Sequence, residues 1–372
     1  MRTPICESLG VDLPIFGFSH CRDVVAAISR AGGFGVLGAA LFSPEQLELE
    51  LAWIDEHVAG RPYGLDVVIP ATYANASVAA ENQTANYLAA IPQKHWEFVQ
   101  ETLQHLEVPE LPDEVARPVL EPGWNPELGR MHFEVGLGHP IRMIVNALGT
   151  PPAEVVERAH AKGMLVGGLA GKPAHAVKQV EGGVDVIIAQ GTEAGGHTGE
   201  IATMVLTPQV VRAVGPDIPV LAAGGIASGE QLAAAIALGA QGGWLGSVWL
   251  TTHESDVDPA VKQRYLAASS DATVRTKENS GKPCRGLRTP WRDAWLATES
   301  PGTLPMPLQG LLTLEAKDRI KRARRVDLMH MSVGQVVGQM NHDRSVADVM
   351  FDLTSGFVAA ADRLAGIVHS EE

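Results

Sequence analysis

Short apolar runs bounded by glycine or proline recur along this chain, each followed by a longer Ala-rich stretch with apolar residues at helical spacing. The strand candidates are Pro14–Phe18, Phe34–Leu37, Gly64–Ile69, Ile141–Asn146, Met164–Leu169, Val184–Ala189, Ile218–Ala223 and Gly242–Leu245. Between them lie amphipathic stretches such as Arg22–Arg30, and others that begin near Pro151, Pro173, Thr207 and Ser228, where Pro, Ser or Thr suits a cap or first turn. Parallel strands joined by single helices, repeating every ~20–30 residues, fit a βα barrel better than a sandwich or a bundle. The predicted fold class is α/β, a TIM (βα)8 barrel with a helical insertion and a C-terminal lobe.

The rhythm breaks twice. From about 71 to 138 the text holds Tyr, Trp and Gln-rich helical stretches and then Pro109, Pro112, Pro118, Pro122 and Pro126. A connection that long is functional when it occurs in a compact domain, so it is expected to be a helical excursion over one end of the barrel, with a strand near His132–Val135. Beyond Thr252 the chain turns polar, then Pro-rich at Pro301–Pro307, basic at Lys317–Arg325 and helical from Ser345 to Ile367. The expected division is a barrel over 1–255, carrying the excursion at 71–138, and a C-terminal helical lobe over 256–372 that covers the active face.

The chain has 372 residues, 45% of them hydrophobic and only 19% charged, enough apolar surface for a large core. Its formal charge of −14 and the lack of a long basic run argue against nucleic-acid and anionic-membrane partners, which need clustered positive charge. The run Lys321–Arg325 has Asp318 and Asp327 beside it and reads as an exposed, mixed-charge helix face. Cys6, Cys21 and Cys284 are too few and too scattered for a disulfide framework or a four-cysteine zinc site. With no signal-peptide pattern at the start and no uninterrupted apolar stretch of spanning length, the expected location is cytoplasmic.

The densest chemical signal is AQGTEAGGHTGE, Ala189–Glu200, directly after the apolar run Val184–Ile188. Segments that follow barrel strands lie at the catalytic face, which would present Glu193 and His197 there. Gly195 and Gly196 clear the Cβ atoms that would block a planar ligand. Two further strand ends are Gly-rich: PVLAAGGIASGEQ, Pro219–Gln231, and ALGAQGGWLGSVWL, Ala237–Leu250. In tandem, such ends can aim backbone N–H groups and a helix N-terminus at one phosphate.

Together, QGTEAGGHTG, LAAGGIAS and ALGAQGGWLGS resemble the nitronate monooxygenase (2-nitropropane dioxygenase-like) family of FMN-dependent βα-barrel enzymes. That family is similar to the flavin-dependent enoyl reductases of fatty-acid synthesis. The resemblance covers most of 4–250 and continues more loosely through TVRTKENSGKPCRGLR, Thr273–Arg288, and the Gly334-Gln335 segment. It implies a flavin-contacting role for Gln190, an active-site histidine at His197 and phosphate-binding glycines at Gly224, Gly225 and Gly246, with a hydroxyl at Ser247. Two positions depart from the family pattern. A Gln-Ala-Pro-Met-like stretch under the flavin is replaced by Gly17-Phe18-Ser19-His20, and the third strand carries Asp66 where the family usually has Asn.

Several residues keep two readings. Lys172 either sets a positive charge at the flavin N1 edge or is a solvated loop lysine. His20 and Cys21 follow the first strand and could line the substrate side, although Cys21 suits the role of a small buried hydrophobe better. His132 and His139 have no partner at ligand spacing, and no metal site is expected. The expected cofactor is FMN, because no GxGxxG with an acidic partner ~20 residues on follows the first strand to hold a dinucleotide.

The expected function is FMN-dependent oxidation of nitronates by dioxygen. The alternative is an NAD(P)H-dependent flavin reductase, or the reverse dehydrogenase, acting on an unsaturated acyl thioester. A third reading is a non-catalytic FMN-binding protein, against which a titrating His197 beside Glu193 argues. The partner expected in each case is a small molecule, with NAD(P)H added in the alternative; a homodimer is left open.

Overall fold

The computed structural model describes residues 1–69, 80–112 and 126–368. Eight parallel strands close a barrel in the order β1 (Ile15–Ser19), β2 (Phe34–Gly38), β3 (Tyr63–Val67), β4 (Met143–Asn146), β5 (Leu165–Ala170), β6 (Val186–Gln190), β8 (Val220–Ala223) and β9 (Gly242–Leu245). The ring shuts where β9 pairs with β1, Trp244 opposite Phe16. Between β6 and β8 the chain makes the short β7 (Gly196–His197), which joins β10 (Thr273–Thr276) and β11 (Cys284–Leu287) in a separate antiparallel sheet, order β10-β11-β7.

Side chains alternate between two cores, as the two-residue period of a strand requires. Phe16, Phe34, Val36, Met143, Val145, Val186, Ile188, Leu221, Ala223 and Trp244 fill the barrel interior. Leu37, Leu65, Val67, Ile144, Val166, Ile187, Ala189 and Val220 face outward under the helices. A short helix, Pro4–Leu9, plugs the N-terminal end with Ile5 and Leu9, and Gln241 fixes it by accepting from Thr3 Oγ1 (2.6 Å) and Ile5 N (3.1 Å).

The last helix, Val346–Val368, packs on the helices Gly229–Ala237 and Arg22–Arg30, which follow the seventh and first barrel strands. It therefore fills the eighth place in the outer ring. The sequence had set this stretch in the lobe over the active face. The chain between β9 and this helix makes the real excursion, and its helices Pro290–Leu296 and Leu308–Arg322 share one apolar cluster with Ile91, Val99, Leu103 and Val108 of the earlier excursion. Arg319 ties the two together by donating to Val108 O (3.0 Å), Pro109 O (2.9 Å) and Gln100 Oε1 (2.9 Å).

Two local expectations fail. The strand expected near His132–Val135 is part of a helix, Pro126–Gly136. Gly129, Phe133 and Gly136, at helical spacing, pack this helix on β3 and its exit: a Cβ on Gly129 would lie 2.2 Å from Val68 O and one on Gly136 would lie 2.8 Å from Leu65 Cδ2. The helix expected from Thr207 starts a turn earlier, at Thr203, for a reason given below. Of the excursion, 70–79 and 113–125 lie outside the described residues; the rest holds the helices Ala80–Ala89, Gln93–His105 and Pro126–Gly136.

Candidate active site

At the C-terminal mouth of the barrel the inward positions change from apolar to polar. Leu65 and Val67 face out, so Asp66 faces in; Ile187 and Ala189 face out, so Gln190 faces in. Among the described residues neither side chain has a hydrogen-bond partner, and Asp66 is only 5% exposed. Burial alone drives the Asp66 carboxyl well above the usual carboxylate range. His20 leans into the same mouth from the end of β1, its ring over Gly38, with Nδ1 donating to Gly38 O at 2.8 Å. Burial lowers its pKa. Phe18 and Trp244 stack below at 6.1 Å between ring centroids. An apolar floor bordered by unpartnered polar groups is what a flat, partly polar ring requires, because each orphaned group would be unfavourable without a ligand partner.

The glycine motifs form one side of this mouth. Gly224 and Gly225 have φ of 94° and 73°, the left-handed region that glycine alone enters freely, so the chain turns sharply at the end of β8. Gly246-Ser247 follows β9, the neighbouring strand. Gly195 lies so close to the Val333-Gly334 peptide that a Cβ would come within 2.7 Å of it, and Gly196 has φ of 74°. Ser247 Oγ accepts from Gly334 N at 2.8 Å, and Gln335 N donates to Glu193 O at 2.9 Å. The C-terminal segment is thus stitched to both Gly-rich loops.

Glu193 is not in the mouth. Its carboxylate accepts from Thr203 N at 2.9 and 3.1 Å and from Thr203 Oγ1 at 2.9 Å. It caps the helix Thr203–Val214, a carboxylate at the positive end of the helix dipole, and so starts that helix a turn before the expected place. Sequence reasoning had counted Glu193 as support for catalysis at His197; the structure gives it to the scaffold.

His197 sits in β7, paired with Cys284 of β11. Its Nε2 shares a 2.7 Å hydrogen bond with Ser280 Oγ, which also accepts Lys282 N at 3.3 Å. Burial first, then the positive fields of His330 and Lys282, lower its pKa to about 4, against a smaller opposing effect of Glu278. The imidazole is neutral at pH 7 and not about a quarter charged as an exposed histidine would be.

Behind this sheet lies a charged cluster absent from the sequence reading. Arg292 and Glu278 are 0% and 1% exposed, and Arg292 Nε lies 3.1 Å from Glu278 Oε1. Arg292 also donates to Val274 O (2.9 Å) and to His330 Nδ1 (2.9 Å), and Glu278 accepts from the Thr276 hydroxyl. Burial by itself would raise the Glu278 pKa, but His330, Arg292 and Thr276 together bring it below the usual range. Lys317 Nζ donates to Asn279 O (3.2 Å) and Asn279 Oδ1 (3.3 Å), and burial lowers its pKa to about 8. The only signal in the sequence was the loosely family-like Thr273–Arg288 segment, which contains Glu278, Ser280 and Cys284.

The remaining candidates scatter. Lys172 is exposed on the rim at the start of the helix Pro173–Glu181, apart from the buried groups. Cys21 turns outward into the cluster under the last helix, its thiol donating to Glu254 O at 3.2 Å. His132 meets Phe42 O at 2.9 Å, and His139 lies 2.7 Å from Asp55. No cluster able to hold a metal ion occurs among the described residues, and no helix among them is long and apolar enough to cross a membrane. In the basic run, Arg322 pairs with Asp318 at 2.6 Å and Arg325 with Asp327 at 2.8 Å.

Known proteins share this arrangement. A sequence profile described as nitronate monooxygenase matches residues 11–356. A Mycobacterium tuberculosis (strain ATCC 25618 / H37Rv) protein carrying the provisional name monooxygenase Rv1533 is 48% identical over 99% of this chain and 100% of its own. A Staphylococcus aureus (strain Newman) protein provisionally named nitronate monooxygenase is 28% identical over 90% of this chain and 91% of its own. Among solved structures, the nitroalkane oxidase of Streptomyces ansochromogenes superposes with a TM-score of 0.78 at 26% identity, covering 97% of this chain and 99% of that one. FabK of Thermotoga maritima superposes with a TM-score of 0.75 at 25% identity, covering 99% of both chains. The (βα)8 barrel, the glycine-lined mouth, the histidine above it and a profile match across nearly the whole chain lead to one conclusion: this chain belongs to the nitronate monooxygenase family of flavin-dependent oxidoreductases.

Proposed function

We propose that this chain holds FMN across the barrel mouth and oxidises nitronates with dioxygen. The observation that carries the reading is the pairing, at one mouth, of a neutral histidine hydrogen-bonded to Ser280 with inward polar groups that lack partners among the described residues. Gly224, Gly225, Gly246 and Ser247 would hold the phosphate, where adjacent strand ends and backbone N–H groups favour a dianion. Gln190, Asp66, Gly195 and Gly196 would border the ring, with Lys172 on the rim. Bound there, FMN supplies the electron-accepting chemistry that no side chain provides.

The protein's own part is proton handling and enclosure. A neutral His197 can accept a proton at an imidazole nitrogen from the carbon beside the nitro group of a parent nitroalkane, which leaves the nitronate, the anion that is then oxidised. Ser280 and Lys282 fix the ring, and the sheet β10-β11-β7 holds that ring at a set height over the mouth. The two excursions pack on each other through one apolar cluster, and lying over this end they would exclude bulk water from the charge that develops. The same reading assigns a small-molecule substrate and a cytoplasmic site of action.

The test is anaerobic stopped-flow on the FMN-loaded protein, mixed separately with a nitronate, NADH and NADPH. Bleaching of the flavin by the nitronate, followed by reoxidation with dioxygen, is the expected result. Bleaching by NAD(P)H alone, with turnover of an unsaturated acyl thioester, would replace this reading with the reductase. A protein that takes up no FMN would end it.

A further inference from the structure

The carboxyl of Asp66 presents a problem that assigning it to the border of a flavin leaves unsolved, because a carboxylate can only accept hydrogen bonds. Its inward direction is set by the alternation of β3: Gly64 faces the Phe34 ring, while Leu65 and Val67 enter the outer core. Its ladder neighbours are Gly38 on β2 and Val145 on β4. Val145 is apolar, and the space a Gly38 side chain would take is filled by the rings of His20 and Phe18.

Among the described residues no cation faces this carboxyl. The titratable group on the β1 side is His20, whose Nδ1 carries its hydrogen to Gly38 O, since a carbonyl can only accept; burial holds this ring neutral. From β2 the inward residues are Phe34, Val36 and Gly38, and from β4 they are Met143 and Val145. From β5 come Leu165 and Leu169, and from β6 the uncharged Gln190. Burial is the single influence on the Asp66 proton. An ionised carboxylate in such a place would lose its hydration with nothing in exchange, whereas a neutral acid needs only one acceptor opposite its O–H.

We propose that Asp66 serves the cofactor as a neutral carboxylic acid, donating its O–H to an acceptor atom of the flavin ring, so that it acts there as an amide N–H donor would. The inference rests on the flavin reading above and adds the protonation state and the direction of the hydrogen bond. It accounts for an acid at a position lined by apolar side chains, and it leaves no negative charge beside a ring that gains electron density on reduction.

Two measurements on the full-length protein at pH 7.5 test it. The first is infrared difference spectroscopy of FMN-loaded minus FMN-free protein, for wild type and Asp66→Asn. A protonated-carboxyl C=O stretch that shifts on FMN binding, moves in deuterium oxide and is absent from D66N is expected. The second is the FMN dissociation constant from fluorescence quenching. D66N should bind within about threefold of wild type, while Asp66→Leu, which cannot donate, should bind roughly 3–10-fold more weakly, the worth of one net hydrogen bond. A wild type without the protonated-carboxyl band, a band unmoved by FMN, or a D66L variant that binds as tightly as wild type would each overturn the proposal. If wild type takes up no FMN but the spectrum of wild type minus Asp66→Asn, both FMN-free, shows the band, the flavin reading fails while the neutral acid stands.

Discussion

Replacing Arg292 by alanine tests how the sheet that carries His197 is held. The guanidinium is fully buried and makes three contacts: Glu278 Oε1 at 3.1 Å, Val274 O at 2.9 Å and His330 Nδ1 at 2.9 Å. Removing it leaves a carboxylate 1% exposed, with only the Thr276 hydroxyl and His330 at 3.4 Å close by. Breaking a buried pair from one side destabilises by about 3–5 kcal/mol, and Lys317, which also feels Glu278, sets the expectation at the lower end of that range. That is a large part of the ~5–15 kcal/mol that keeps a domain folded. The lost charge can be replaced by one proton, on Glu278 or on His330. The folded variant therefore binds one proton more than folded wild type, while the unfolded chains differ by none. The sign follows: the deficit of Arg292→Ala is largest at alkaline pH and shrinks by up to about 1.4 kcal/mol per unit as pH falls. Urea unfolding from pH 8 to pH 5.5, on wild type, Arg292→Ala and the apolar pair Arg292→Met with Glu278→Leu, measures it. The pair should recover much of the loss. A single-variant deficit below about 1 kcal/mol at pH 8, or one that does not change with pH, would refute the argument, since surface-like pairs behave that way.

Two further outcomes concern the proton transfer. His197→Asn should keep fold and flavin absorbance while lowering turnover of a nitroalkane by roughly 10²–10⁴, the usual worth of a positioned base. In wild type, kcat/KM should be flat from pH 8 down through 6.5 and fall only as the pH nears 4, where the imidazole gains its proton; an inflection at 6.5 would show a solvated ring instead. Glu193→Ala should lower stability by roughly 0.5–2 kcal/mol through loss of the helix cap, with turnover at saturating FMN close to wild type. Turnover reduced as far as in His197→Asn would return Glu193 to the chemistry.

The barrel was legible because its signals are local. Each barrel strand is a short apolar run with glycine or proline at its borders and overlaps its expected run, β1 at Ile15–Ser19 against Pro14–Phe18 for example. The Gly-rich loops were legible for the same reason: Gly224 and Gly225 are turns that the left-handed region reserves for glycine. What failed was set at long range. The helix at Thr203 starts early because a carboxylate ten residues upstream folds back on it. The stretch around Phe133 is helical because Gly129 and Gly136 admit the backbone of β3 and its exit. The strand pairing of His197 with Cys284 joins residues far apart in sequence, and a two-residue strand has no period to detect. The last helix reads correctly as a helix, but its place in the outer ring is a tertiary fact.

The charge state of His197 bears on which reaction this mouth is built for. With a pKa of about 4, roughly one molecule in a thousand carries the imidazolium at pH 7. A reaction that asks His197 to give up a proton, as protonation of a carbanion after hydride delivery would, starts from that rare form and loses about 4 kcal/mol on the way. A reaction that asks it to receive one starts from the form nearly every molecule already has. Lys282, one of the neighbours that lower the imidazole pKa, gives that side of the mouth a positive charge. Such a charge suits a substrate that arrives as an anion or becomes one when it loses its proton. The first consequence suits a nitroalkane that gives up its carbon proton and the second suits the nitronate so formed, and neither suits the reduction of an acyl thioester, although the fold serves proteins named for each.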